Sequence, residues 1–157
     1  MIGNLSSSLS QMRGAYEYFY LKEATNPMAL CTEEEITRMV HAFYARVRKD
    51  EQLAPVFNAH IDDWDHHLEH LSTFWSSLLL RTGRFNGTPM PRHIALPGLT
   101  AELFQRWLAL FEETTAEQPN QAMAKEANAM AQRVAQSLWY GYQLTHNPGA
   151  TPTEVNS

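Results

Sequence analysis

Apolar residues recur along this chain at spacings of three and four in several long stretches, with no sustained apolar–polar alternation and no internal repeat. That pattern predicts an all-α fold. The best-marked helix opens at Thr32, whose hydroxyl is placed to cap the amides ahead while Glu35 reaches back, a Thr-x-x-Glu capping box. From there Ile36, Met39, Val40, Phe43, Tyr44 and Val47 make one apolar stripe, and Arg48-Lys49 bring the positive charge that suits a helix C-terminus. A corner is predicted at Leu53-Ala54-Pro55-Val56-Phe57. Asp62 and Asp63 then introduce a second helix to about Leu80, closed by Gly83 and Gly87. Pro91 and Pro97 bracket a segment too short for two turns of helix. Thr100 caps a third long helix carrying Leu103, Phe104, Trp107, Leu108, Leu110 and Phe111. Beyond Pro119, the spacing of Met123, Ala127, Met130, Val134 and Leu138 marks a fourth, ending near Gly141.

The two ends differ from this body. Residues 144–157 hold two prolines and a glycine with little to bury, which predicts a frayed, flexible tail. Near the other end, Leu9, Met12, Tyr16, Phe19 and Tyr20 predict an extra amphipathic helix around residues 8–24 or an interface, stopped by Asn26-Pro27. The organisation expected is an N-terminal extension over 1–30, one helical domain over 31–143 and the tail over 144–157. With 157 residues there is no reason to seek a second core.

Charge and cysteine content narrow the function classes. The net charge is −5 and no block of Lys or Arg stands out, which argues against a nucleic-acid partner. Cys31 is the only cysteine, so internal disulfides, thiolate metal clusters and a C-x-x-C-H site for covalent haem attachment are all excluded. No apolar run approaches a membrane span and Met1–Glu23 has no signal-peptide pattern, so a cytoplasmic protein without a membrane partner is expected. Aromatic residues make up 11% of the chain, enough for a dense core or a pocket for a large planar ligand.

The candidate chemistry centres on histidines and two polar aromatics. His93 stands in the proline-bracketed segment, which can hold an imidazole at a fixed height against a flat cofactor, as a haem iron's proximal ligand is held. Taken alone, a histidine in such a connection is more often a surface or capping residue. On the second helix, Trp64, Leu68, Leu71, Trp75 and Leu78 centre the apolar face. At about 100° per residue, His67 borders that face while His66 and His70 are expected in solvent. His66 and His70 at i, i+4 suit a transition metal, but no third ligand follows in a recognisable motif. Tyr44 and Trp107 fall on apolar helical faces and read either as core aromatics or as two donors facing one cavity.

Taken in order, several motifs carry a family resemblance. They are Phe43-Tyr44 with Val47 and Arg48-Lys49-Asp50, Leu53-x-Pro55-x-Phe57-Asn58, Trp64-x-x-His67, Phe74-Trp75, Gly87-x-Pro89-x-x-x-His93-x-x-Leu96-Pro97, and Phe104-x-x-Trp107-Leu108-x-Leu110-Phe111. They resemble the truncated haemoglobins of group III, from about Thr32 to about Tyr142. The resemblance implies a shortened globin, a two-over-two helical sandwich around non-covalent haem b, with the segment before Thr32 as a departure from the family pattern. It implies His93 as proximal iron ligand, and Tyr44, His67 and Trp107 as the distal residues that stabilise a bound diatomic ligand. Phe57 packs on the porphyrin in that scheme, Leu71 and Trp75 line the pocket, and Phe43 flanks it. Arg92 is a candidate partner for a haem propionate.

The function this implies is binding of O2, NO and CO with strong distal hydrogen bonding. Such bonding suits NO detoxification or peroxide chemistry fed by an unidentified reductase better than oxygen transport or storage. Two other classes compete with it: a cofactor-free helical interaction module in which the aromatics are core, and a metal-binding helical protein built on His66 and His70.

Overall fold

The computed structural model describes residues 29–83, 92–93 and 95–156. The expected N-terminal helix around 8–24, with Gly87 and both Pro89 and Pro91, lies outside the described residues. Among them are five helices and no strand: α1 Glu33–Val47, α2 Ala54–His60, α3 Trp64–Leu80, α4 Ala101–Ala116 and α5 Gln121–His146. Two helix pairs, α1 with α3 and α4 with α5, are joined by contacts of α1 with α4 and of α3 with α5. This is a two-over-two helical sandwich.

Local chemistry explains where the helices begin. Thr32 forms the full capping box, with its hydroxyl accepting from Glu35 N at 3.1 Å and the Glu35 carboxylate accepting from Thr32 N at 3.0 Å. Asp63, Thr100 and Asn120 cap α3, α4 and α5 through their side-chain oxygens. Asn120 has a second task, since its amide also donates to Leu30 O at 2.9 Å and so pins the entry to α1 against the start of α5. The buried stripe of α1 is Ile36, Met39, Val40, Phe43, Tyr44 and Val47, the set its periodicity predicts.

Four expectations need correction. The corner at Leu53–Phe57 is the start of α2, because Pro55 occupies the first turn, where its missing N–H costs nothing and its fixed φ suits a helix. α3 is terminated by Arg81 in the left-handed region at φ 55°, two residues before Gly83, the glycine expected to close it. The buried residues of α3 are Trp75, as expected, with Ser76 and Leu79, so the buried face turns away from Leu68, Leu71 and Leu78. Leu71 and Phe74 are half-buried because they face a cavity and not packed core. Finally, α5 runs through Gly141 to His146, and residues beyond it fold back on the helices. Val155 is 2% exposed within the core, where a frayed tail is expected.

Candidate functional site

A cavity of about 380 Å³ opens between the two helix pairs. Its walls draw on every helix and on the connection between α3 and α4. Of the residues singled out in the sequence, Tyr44, Phe57, His67, Leu71, Trp75, Arg92, His93 and Trp107 all line it. Phe43 does not. It is wholly buried behind the wall, edge-on to Tyr44 at 4.7 Å, to Trp107 at 5.3 Å and to Phe111 at 5.0 Å between ring centroids. Its place as a pocket-flanking contact is therefore corrected to that of a ring fixing the rings that do reach the cavity.

That aromatic layer orders the polar groups. Trp107 and Phe111, one turn apart on α4, stack at 5.7 Å and 10°, and Phe111 stacks on Trp75 of α3 at 5.0 Å and 14°. Offset stacking of this kind adds a specific preference to the burial of the rings. The indole N–H of Trp107 is a polar neighbour of the Tyr44 phenol and, acting as a donor towards it, favours the ionised form. Tyr44 is 4% exposed, and this desolvation pushes its phenol well above the ordinary range, opposed only in part by the indole. The hydroxyl is thus neutral and keeps a hydrogen to give.

His67 stands edge-on to Tyr44 at 6.1 Å and to Trp64 at 5.7 Å. Burial pushes its imidazole down to about 4, and the neighbouring charges of His70, His93, Arg92 and His66 act in the same direction. It is a neutral imidazole near pH 7. His66 is exposed and away from the cavity, as its helical position predicts, whereas His70 is exposed yet borders the cavity. His93 is half-buried, with the chain helical at Arg92–His93, and its carbonyl accepts from Leu96 N at 3.1 Å.

Several wall residues escaped sequence reasoning. Phe104 lies one turn before Trp107 on the same stripe of α4, and Leu138 lies on the apolar stripe of α5, so periodicity marked both as inward without distinguishing wall from core. His60 and Ile61 had no local signal, since their place depends on α2 being a helix. Among the described residues no group of three His, Cys, Asp or Glu side chains is arranged to hold a metal ion. The site is an apolar cavity with a neutral phenol, the neutral imidazole of His67, the imidazoles of His60, His70 and His93, and a guanidinium on its walls. It can enclose a large planar molecule, offer one nitrogen as a ligand and donate hydrogen bonds to a small guest.

Comparison with known proteins adds lineage to this geometry. No protein-family profile matches the chain. The chain is 36% identical over 117 residues to the group 3 truncated hemoglobin ctb of Campylobacter jejuni, an overlap of 70% of this chain and 92% of that protein. A crystal structure of group III truncated hemoglobin from Campylobacter jejuni superimposes with a TM-score of 0.67 at 32% identity, covering 77% of this chain and 96% of the other.

Proposed function

The chain belongs to the group III truncated haemoglobins, and from that premise we propose that it holds haem b non-covalently in the cavity, with His93 as the protein's ligand to the iron. The observation that carries this reading is the cavity itself. Protein interiors are close-packed, and about 380 Å³ left between stacked aromatic rings calls for an occupant. The wall residues fit haem. Phe57, Leu71, Trp75 and Phe104 offer apolar surface to a porphyrin, Arg92 offers a cation to a propionate, and His93 offers a nitrogen donor. When bound, haem supplies an iron that takes O2, NO or CO and passes between ferrous and ferric states.

The protein's own residues govern how tightly such a ligand is held. Tyr44 would offer its hydroxyl hydrogen to a small diatomic guest in the cavity and so favour negative charge on it. Trp107 holds the phenol oxygen and so aims that hydrogen. His67, neutral and beside Tyr44, acts as a gate or second donor. Phe43 backs the donors and keeps their rings in register. Donors fixed in a water-poor pocket slow ligand release, which suits turnover better than transport.

The reaction favoured by this arrangement combines NO, O2 and one electron to give nitrate, the electron coming from a cellular reductase. Reaction with peroxide draws on the same donors. No described helix is long and apolar enough to cross a membrane, and a cytoplasmic protein meeting a soluble reductase is the setting proposed. A cofactor-free interaction module has to leave the cavity empty, and a metal site on His66 and His70 has to ignore that only His70 borders it.

The experiment is aerobic consumption of NO by the haem-loaded protein with a chemical reductant, with nitrate counted. The expected result is many turnovers with about one nitrate per NO. Consumption that stops after one equivalent, because the ferric product is not re-reduced, would remove the dioxygenase reading.

A further inference from the structure

Residues 153–155 return to the body of the protein and are taken up by side chains of two helices. Gln143 of α5 accepts from Thr153 N at 2.9 Å and from the Thr153 hydroxyl at 3.1 Å, and its amide donates to Thr153 O at 2.9 Å. Gln136, two turns earlier on α5, accepts from Val155 N at 2.9 Å. Gln105 of α4 donates to Val155 O. The N–H and C=O of alternate residues are thus read by three glutamines, as an edge strand reads an added strand, while the Val155 side chain sits in the core.

Satisfying four main-chain groups with three side chains on two helices is a built docking site. Its position gives it a consequence for the cavity. Gln105 is the neighbour of Phe104, and Gln136 is the neighbour of Ala135; Phe104 and Ala135 both line the cavity. Val155 is held from α4 by one bond and from α5 by another, so the strap bridges the two helices that together supply one cavity wall.

We propose that the docked strap Thr153–Val155 sets the spacing of α4 and α5 behind the cavity, which makes Gln105, Gln136 and Val155 positioning residues for Phe104, for Trp107 one turn further along α4, and for the haem they enclose. The strap acts on the distal donors through the indole of Trp107. It reaches the haem through the fit of the wall. This rests on the haem reading for its second consequence only.

The test uses the full chain with Val155→Asp, which places a charge in an apolar seat, and Gln143→Ala, a milder change that removes the Thr153 contacts and the amide's bond to Trp139 O within α5. Val155→Ile is the conservative control. Three quantities are measured: hydrogen exchange at the amides of Thr153 and Val155, the indole N–H resonance of Trp107 in ligand-free protein, and the rate of haem loss to an apomyoglobin acceptor. Expected are lost amide protection, a displaced Trp107 resonance and haem loss about tenfold faster in Val155→Asp. Gln143→Ala is expected to lie between, and Val155→Ile to match the wild type. Lost protection with an unmoved Trp107 resonance and haem loss within twofold would reduce the strap to a surface attachment and overturn the proposal. A wild type that takes up no haem would remove the haem reading alone, and the Trp107 resonance would then decide the matter by itself.

Discussion

Replacing Tyr44 by Phe removes one oxygen from a ring that is 4% exposed and leaves every ring contact in place. Two effects are expected. The half-buried indole N–H of Trp107 loses the polar neighbour it acts towards, which costs about 0.5–1.5 kcal/mol of stability. A diatomic ligand loses the phenol's hydrogen. A hydrogen bond to a group carrying charge contributes about 1.5–3 kcal/mol, and 1.4 kcal/mol is a factor of about ten, so oxygen release should quicken by roughly 10- to 150-fold. Trp107→Phe acts differently. The indole hydrogen is committed to the phenol, and its removal loosens the aim of a donor that is still present. A neutral bond of about 0.5–1.5 kcal/mol sets that effect at roughly two- to tenfold. Because the indole works through the phenol, the double variant should release oxygen at the rate of Tyr44→Phe alone. Stopped-flow displacement of oxygen by carbon monoxide measures all four rates. Equal acceleration in both single variants, multiplying in the double, would show that the indole meets the ligand directly. No change in either would remove both from the distal site.

Two further outcomes concern stability. With its imidazole held near 4 against an ordinary value of 6.5, His67 stays neutral in the folded ligand-free protein while the unfolded chain takes up a proton. Stability is therefore full above about pH 6.5 and falls as the pH is lowered towards 4, by about 1–2 kcal/mol once solvent screening at this half-exposed imidazole is allowed for. Urea titrations across this range should show a shallower fall in His67→Leu, and equal slopes would contradict the assignment. Asp50 sits between α1 and α2 and accepts from Gln52 N at 3.1 Å and Leu53 N at 3.0 Å, with its other oxygen paired to Arg106 at 2.7 Å. Desolvation works against the charge, but Arg106 and those two amides prevail and hold the carboxyl below its ordinary value. Asp50→Ala should cost about 2–3 kcal/mol in urea unfolding, and a loss within about 0.5 kcal/mol, the cost of an ordinary surface change, would refute the contribution assigned to it.

Most of this architecture follows from local rules that leave a mark in the sequence. The Thr32 box, the caps at Asp63 and Thr100, and the stripe from Ile36 to Val47 each depend on residues within one or two turns. The family resemblance located seven of the cavity residues, among them His93, Tyr44 and Trp107, whose spacing along the chain gives no hint that they converge, and Arg92 followed from its place beside His93. Where the pattern misled, distant or competing terms were responsible. Pro55 reads as a corner until its place in a helix's first turn is known. Gly141 reads as a stop, but Leu138 and Tyr142 on either side are buried and carry the helix past it. Val155 looks like part of a loose end because its seat is made by glutamines 19 and 50 residues away. Phe43 and Trp107 share the same periodic signal, and only the packing of α1 against α4 separates the ring behind the wall from the ring upon it.

The most direct test of the central claim is an absorption spectrum of the purified protein. It should be recorded ferric, then reduced with dithionite, before and after carbon monoxide, with His93→Gly beside the wild type. The account predicts a Soret band that moves with carbon monoxide in the wild type, is disrupted in His93→Gly and is restored there by free imidazole. A protein that stays colourless when haem is supplied, or a His93→Gly spectrum matching the wild type, would contradict it.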